Sequence, residues 1–287
     1  MRIHLLANVQ RPDAVAAARD CVHILVERGV EVAAEADTAD ALSVIEVGPE
    51  AFADCDLAIC FGGDGTLIRA AHWCAEKGTP ILGVYFGRFG FVTQCKPHEV
   101  GVSLSQFFDG KPEYENRMML QGELIRSGHV VTTLHTLNEI ALQRDVSTRM
   151  LSFRVEVDGR ELTSYPADGV LVATPTGSTA YNLSAGGPIV DPRLRAMILT
   201  AMQPHTLSAR PLVLGPESSV MLTVTTAGDA VLSADSQIRL HMLSGDALRV
   251  TQSPRVTRLF CVDSHDFLVK LGERLFWSQS LVGNWQP

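Results

Sequence analysis

The sequence predicts a chain of two unlike parts: a parallel sheet covered by helices as far as residue 112, then a β-rich, sandwich-type region over residues 113–263. Two observations predict this. In the first part, apolar runs of strand length alternate with segments of helical spacing, the pattern of a parallel α/β sheet. From Lys111 onward, short β-like runs follow one another with little helical periodicity between them. A length of 287 residues fits one large or two ordinary domains.

The first elements are read in order. Ile3 to Val9 is an apolar run of strand type. Asp13 to Glu27 carries Val15, Ala18, Val22 and Leu25 at helical spacing, and Gly29 is a plausible stop. Val30 to Ala34 and Leu57 to Phe61 are further strands. Thr66 to Glu76 is a helix closed by Gly78 and Pro80, and Ile81 to Phe86 is the next strand. In the second part the strand candidates are Leu120 to Ile125, Thr132 to Arg144, Ser152 to Val157, Val170 to Thr174, Val220 to Thr225 and Arg249 to Thr251. Asp158-Gly159 between two such runs signals a hairpin.

Composition narrows the classes of function. The chain is 46% apolar, enough for a core without staples. No apolar run reaches the roughly 18 residues of a membrane span, and MRIHLLANVQ lacks the long apolar stretch and cleavage site of a signal peptide. A net charge of −8 argues against a nucleic-acid surface. The six cysteines form no C-x-x-C and sit mostly in apolar segments. Reduced, buried thiols and a cytoplasmic location are the expectation.

The stretch FGGDGTLIRA, Phe61 to Ala70, places glycines between a strand and a helix. Such a junction directs backbone N–H groups at an anion, and glycine permits close approach and positive φ. It matches neither G-x-x-x-x-G-K-[ST] nor G-x-G-x-x-G. Asp64 at its centre needs a reason. At about 4 Å and an effective dielectric near 20, two like charges repel by roughly 4 kcal/mol. The carboxylate becomes useful if it helps hold a metal that bridges phosphates. It also becomes useful as the base for an attacking hydroxyl, a role that contributes typically ~10²–10⁴ in rate. Both roles belong to phosphoryl transfer; the bland alternative is a tight turn with Asp64 as a helix cap.

Asp168 to Val190, DGVLVATPTGSTAYNLSAGGPIV, is denser in signal. A strand runs into small hydroxyl residues and glycine, which supply donors without bulk. Ser178 or Thr179 could cap a short helix beginning near Ala180, and Tyr181 offers a flat ring for a base. Ser178 lacks the G-x-S-x-G setting of a hydrolase nucleophile. Asp168 suits a ribose hydroxyl or an amide. Between the two motifs, Asn138-Glu139 interrupts an apolar strand, and an adjacent amide and carboxylate match a diol; a strand end or bulge is the alternative.

Together these segments resemble the NAD kinase family. The resemblance rests on Gly62-Gly63-Asp64-Gly65-Thr66, Gly87-Arg88-Phe89-Gly90-Phe91, Asn138-Glu139, Asp168-Gly169, Thr174 through Val190, Ser208 through Val213, and Lys270-Leu271 through Trp277. It implies a Rossmann-like, phosphofructokinase-like first domain, a β second domain, and a segment of about 264–287 that returns to the first. It implies ATP- and metal-dependent phosphorylation of the 2′-hydroxyl of the adenosine ribose of NAD, with Mg or Mn as the divalent metal. The assembly it implies is a homodimer or homotetramer. Carried over, Asp64 is the base or metal-linked aspartate, and Gly63 and Gly65 line the phosphate loop. Asn138 and Glu139 meet the nucleotide and its ribose, and Asp168 the nicotinamide end. Thr179, Ala180, Tyr181, Asn182 and Ser184 wrap the adenine. Gln237 matches a late nucleotide contact; Arg69 and Arg149 are candidates for phosphate. Tyr85, Pro166 and Ser236 depart from residues common in that family. GGDGT also resembles the loop of diacylglycerol and sphingosine kinases and of phosphofructokinases, so a lipid kinase is the competing enzyme. A silent NADP-binding sensor is the competing non-enzyme.

Overall fold

A computed structural model describes residues 1–87, 90–93, 95–145, 150–226, 228–262 and 266–275. The chain divides into two compact units: residues 1–115 together with those from 258 onward, and residues 116–257.

The first unit alternates as the sequence predicts. Its elements are β1 (Arg2–Ala7), α1 (Pro12–Glu27), β2 (Glu31–Ala34), α2 (Ala36–Leu42), β3 (Ile45–Glu46), β4 (Leu57–Gly62), α3 (Asp64–Cys74), β5 (Ile81–Tyr85) and α4 (Val100–Phe108). Strands β3, β2, β1, β4 and β5 lie side by side in that order, every pair parallel. Helix α1 starts on Pro12, where a missing N–H costs nothing. It ends at Gly29, whose φ of 71° suits a residue without Cβ. Its fully covered stripe is Ala14, Ala18, Cys21 and Leu25. Val15 and Val22, expected in that stripe, flank it half-buried. Small residues let the helix lie close to a sheet of Ile3, Leu5, Leu57, Ile59 and Phe61, all with no exposed surface.

The second unit contains β6 (Tyr114–Arg126), which starts in the first unit, then β7 (His129–Thr136), β8 (Glu139–Arg144), β9 (Leu151–Val157), β10 (Arg160–Ala167), β11 (Gly169–Ala173), α5 (Tyr181–Ser184), β12 (Met197–Met202), β13 (Leu212–Leu214), β14 (Val220–Val224), β15 (Ala230–Ala234), β16 (Ile238–Met242) and β17 (Ala247–Phe260). The end of β17 crosses into the first unit, where Leu259 pairs in parallel with Ile81. The last described element is α6 (Asp266–Arg274). Within the second unit one sheet holds β10, β9, β14 and β17 with β6 and β7. The other runs β13, β12, β11, β8, β15, β16. Leu120, Phe153, Val155 and Leu222 of the first sheet share a buried cluster with Ile140, Leu142, Val170 and Leu232 of the second. This is the expected sandwich, with alternate residues of each strand turned inward. The Asp158-Gly159 hairpin is present: Val157 faces Arg160, and both turn residues have positive φ, 52° and 73°.

Two expectations are corrected. The run Thr132 to Arg144 is two strands, β7 and β8, broken at Leu137-Asn138. The break has a cause far along the chain. The buried Asp235 carboxylate accepts the N–H groups of Leu137, Asn138 and Glu139 at 2.8, 2.8 and 3.1 Å. The helix expected from Thr66 begins instead at Asp64.

Candidate active-site residues

In the first unit, β4 delivers the glycine loop and α3 carries Asp64 in its first turn. The role of the glycines is narrower than the sequence suggested. None of Gly62, Gly63 and Gly65 has positive φ. A Cβ at Gly62 would collide with Thr66, so this glycine lets α3 fold tightly against its own strand. Space beside Gly63 and Gly65 is open, as a backbone that admits a ligand requires.

The Asp64 carboxylate is not bare. Oδ2 accepts the Phe91 N–H at 2.8 Å. Oδ1 accepts the N–H groups of Val92 and Thr93 at 3.3 and 3.0 Å and the Thr93 hydroxyl at 3.1 Å. Gly90 completes this wrap, since any Cβ there would overlap the carboxylate. Lys270 of α6, itself buried, donates from Nζ to the Thr93 carbonyl at 3.0 Å. Arg88 and Phe89 of the same loop lie outside the described residues, as does everything after 275 in the expected return segment.

Beside α3 a cavity of about 320 Å³ is lined by Asn8, Gln10, Asp37, Thr66 and Arg69, with the Gly65 backbone. It lies past the carboxyl ends of β1 and β4, where strand order reverses: β2 and β3 continue to one side of β1, and β4 and β5 to the other. Open parallel sheets bind ligands at such switch points. Arg69 reaches Glu35 at 3.8 Å and stacks over Trp73 at 5.6 Å.

In the second unit, Asn138 and Glu139 are buried, at 7% and 4% exposure, yet Asn138 Oδ1 and Glu139 Oε2 have no hydrogen-bond partner. Burial pushes the Glu139 carboxyl up to about 8, with the nearby Asp235 charge adding to the rise. Glu139 lines a cavity of about 230 Å³ together with Ala141, Gln143 and Tyr181. Tyr181 is 41% exposed, so it is a wall and not core, and its hydroxyl reaches Gln143 at 3.5 Å. The 176–179 turn packs directly on Asn138: a Cβ at Gly177 would overlap the Asn138 carbonyl.

Several expected site residues do other work. Asn182 has no exposed surface. It donates to the carbonyls of Ser178 and Pro188 at 3.3 and 3.1 Å and accepts from Thr200 at 2.8 Å. It ties the segment together and presents nothing to a ligand. Ser178 does not cap α5; its hydroxyl donates to the Val190 carbonyl and accepts the Val190 N–H. Asp168 is held by Arg144 at 2.7 Å, so its charge is already matched. Thr179 and Ala180 are half-buried before α5, and Ser184 is exposed. Gln237 is exposed after a turn in which Asp235 and Ser236 have positive φ, 49° and 58°. Arg149 lies outside the described residues.

Sequence reasoning named Ser236 only as a departure and missed Asp235, Arg144 and the cavity residues Ser233 and Arg239. Asp235 left one signal, an acid directly after an apolar run; the others left none without the strand pairing.

Among the described residues no three acids, histidines or cysteines converge as a metal site. With both Asp64 oxygens taken by protein donors, the described residues form no built cation cage. No disulfide joins the six cysteines, of which five are buried and Cys55 is half-buried. Among the described residues no helix is long and apolar enough to cross a membrane.

An acid in a strand–glycine–helix junction of one unit and a polar cavity with an orphaned carboxyl in the other suit one class: a two-domain nucleotide phosphotransferase. Comparison with known proteins sharpens this. The ATP-NAD kinase N-terminal domain matches residues 3–112 and the ATP-NAD kinase C-terminal domain residues 137–261. An NAD kinase of Citrifermentans bemidjiense is 37% identical over 285 residues, covering 97% of this chain and 99% of that protein. One from Moorella thermoacetica is 39% identical over 277 residues, covering 96% and 89%. The fold matches yeast NADH kinase complexed with NADH at a TM-score of 0.91 and 24% identity, over 100% of this chain and 90% of the other. It matches an Archaeoglobus fulgidus NAD kinase in complex with ATP at 0.77 and 24% identity, over 94% and 98%. The chain belongs to the ATP-NAD kinase family.

Proposed function

We infer that this chain is an NAD kinase, transferring the terminal phosphoryl group of ATP to the 2′-hydroxyl of the adenosine ribose of NAD to give NADP. One observation carries the assignment of substrate: Glu139, which lines the cavity walled by Tyr181, and its chain neighbour Asn138 are both buried, and each keeps an oxygen without a partner. Buried polar atoms are rarely left so. A ribose diol supplies two hydroxyls, and a base supplies a flat face for the ring. A lipid headgroup offers no such face.

In this reading Asp64 takes the proton from the ribose hydroxyl as the phosphoryl group arrives. To do so it must exchange one of its loop donors for the substrate, and a general base contributes typically ~10²–10⁴ in rate. Gly63 and Gly65 leave room for the phosphates, and Arg69 and Arg149 are assigned to them. Thr179, Ala180, Tyr181 and Ser184 border the adenine, Asp168 with Arg144 the nicotinamide end, and Gln237 a late contact. Asn182 acts only by holding that border in place. Divalent metal, Mg or Mn, enters as the companion of the ATP phosphates. The domain division of 1–112 with 264–287, against 113–263, is kept. So are the cytoplasmic location and the homodimer or homotetramer, which light scattering tests.

The test is a transfer assay with labelled ATP, offering NAD, NADH and diacylglycerol in parallel. Label on NAD is the expected result. Label on the lipid alone, or on nothing, overturns the assignment.

A further inference from the structure

The cavity beside α3, in the first unit, is lined by two opposite charges that do not pair with each other. Arg69 comes from α3 and Asp37 from the first turn of α2, while Asn8 and Gln10 belong to the loop after β1. The ion pair of Arg69 is with Glu35, at 3.8 Å. That is too long for a hydrogen bond, and Glu35 Oε2 is buried without a hydrogen-bond partner. Asp37 is exposed, and among the described residues no cation pairs with it. Both side chains nevertheless stand on a fixed frame. The Arg69 guanidinium lies over the Trp73 ring at 5.6 Å. Thr38, next to Asp37 and fully buried, accepts the Ala7 N–H at 2.9 Å, which pins the start of α2 to the end of β1. Asn8 Oδ1 accepts the Gln10 N–H at 3.1 Å and closes the loop between β1 and α1. The cavity thus has one cationic wall and one anionic wall, and neither is neutralised by the other.

We propose that Asp37 recognises the sugar of the phosphoryl donor by accepting hydrogen bonds from its two ribose hydroxyls, while the α3 wall takes the donor's phosphates. The proposal rests on the reading that Gly65 and Arg69 hold those phosphates. A nucleoside triphosphate is itself divided in this way: it is strongly anionic at one end and carries a neutral diol further along. A guanidinium suits the anionic part, because its fork of N–H groups fits two phosphate oxygens at once. A carboxylate suits the diol, because it only accepts hydrogen bonds and a hydroxyl can donate one. The same carboxylate would repel a phosphate, so Asp37 marks the wall that the phosphates avoid. The topology agrees. The cavity lies where strand order reverses, and in nucleotide-binding sheets of this class an acid downstream of the first turn hydrogen-bonds a ribose hydroxyl. Asp37, three residues past the end of β2, stands in that position. Donor and acceptor sugars are thereby read by different acids, Asp37 in the first unit and Glu139 in the second.

The experiment measures the donor KM of the full chain at saturating NAD, with ATP and with 2′,3′-dideoxy-ATP, for the wild type, Asp37→Ala, Asp37→Asn and Arg69→Met. The dideoxy donor keeps the phosphates and the base and lacks both hydroxyls. The wild type is expected to prefer ATP about fivefold, as one net hydrogen bond at an exposed site allows. Asp37→Ala should raise the ATP KM by about the same factor and leave the dideoxy KM within about twofold, so that the preference disappears. Asp37→Asn falls between, since its amide oxygen still accepts a hydroxyl. A wild type that treats the two donors alike overturns the proposal. So does an Asp37→Ala enzyme that keeps the preference, or one in which both KM values rise equally. Failure of the underlying reading looks different: Arg69→Met would then leave both KM values untouched, and the donor phosphates would lie elsewhere. If Arg69→Met raises both while Asp37→Ala changes neither, the phosphate reading stands and the sugar reading falls.

Discussion

Two acids stand at strand ends in this molecule, and their surroundings are opposite. Asp64 follows β4 and receives three N–H groups and a hydroxyl from Phe91 to Thr93. Glu139 opens β8, is more deeply covered, and keeps Oε2 without a partner while burial pushes its carboxyl up to about 8. One carboxylate is supplied by its own protein; the other is left for something to arrive. A saturated acid can be positioned and held ready, whereas an unsatisfied one gains from binding. In the proposed reading, the chemical step and the recognition step fall on different acids.

That division can be broken from the Asp64 side first. Asp64→Asn is expected to cut turnover roughly 100-fold or more while NAD affinity stays within about twofold, as removal of a transition-state role requires. Steady-state turnover with direct NAD titration checks this, and full activity would remove Asp64 from the chemistry. Gly90→Ala is the next largest. Its methyl overlaps the Asp64 carboxylate and must displace it or the loop. About tenfold lower turnover is expected, with NAD affinity again preserved, because misplacing a catalytic group by around 1 Å costs on that order or more.

From the recognition side, Tyr181→Ala is expected to raise the NAD KM by about fivefold through lost stacking, with kcat little changed. The last test concerns Glu139 itself, reads stability instead of activity, and sharpens the contrast. Its carboxyl titrates near its ordinary value when unfolded and at about 8 when folded. The folded state therefore holds a proton that the unfolded chain has released, so stability falls as pH rises through that interval and levels off above it. Each pH unit in the window is worth at most about 1.4 kcal/mol. Melting temperature of the nucleotide-free protein should decline between about pH 5 and pH 8, and Glu139→Gln should flatten that decline. Equal slopes in the two proteins would mean that Glu139 is not charged against its environment.

Local chemistry made part of this legible in the sequence. The parallel strands of the first unit announced themselves by apolar runs, and Asp158-Gly159 by the backbone its turn demands. Asp64 was conspicuous because a charge in a phosphate-type loop needs a reason. What escaped depends on distance along the chain. The break at Asn138 is made by an aspartate 97 positions later. The wrap on Asp64 comes from residues 27 to 29 positions away, and Arg144 meets Asp168 only because their strands pair. Helix α2, Ala-Asp-Thr-Ala-Asp-Ala-Leu, covers only Thr38, Ala39 and Leu42, too few for a periodic signal. Asn182, read as a nucleotide contact, turned inward because three polar groups already wait for it there.

The tie from Lys270 to the Thr93 carbonyl joins residues 177 positions apart. The carboxylate assigned to chemistry is made early in synthesis, but the brace behind its loop is made near the end. A growing chain on the ribosome therefore carries the acid and its loop long before the residue that braces that loop exists.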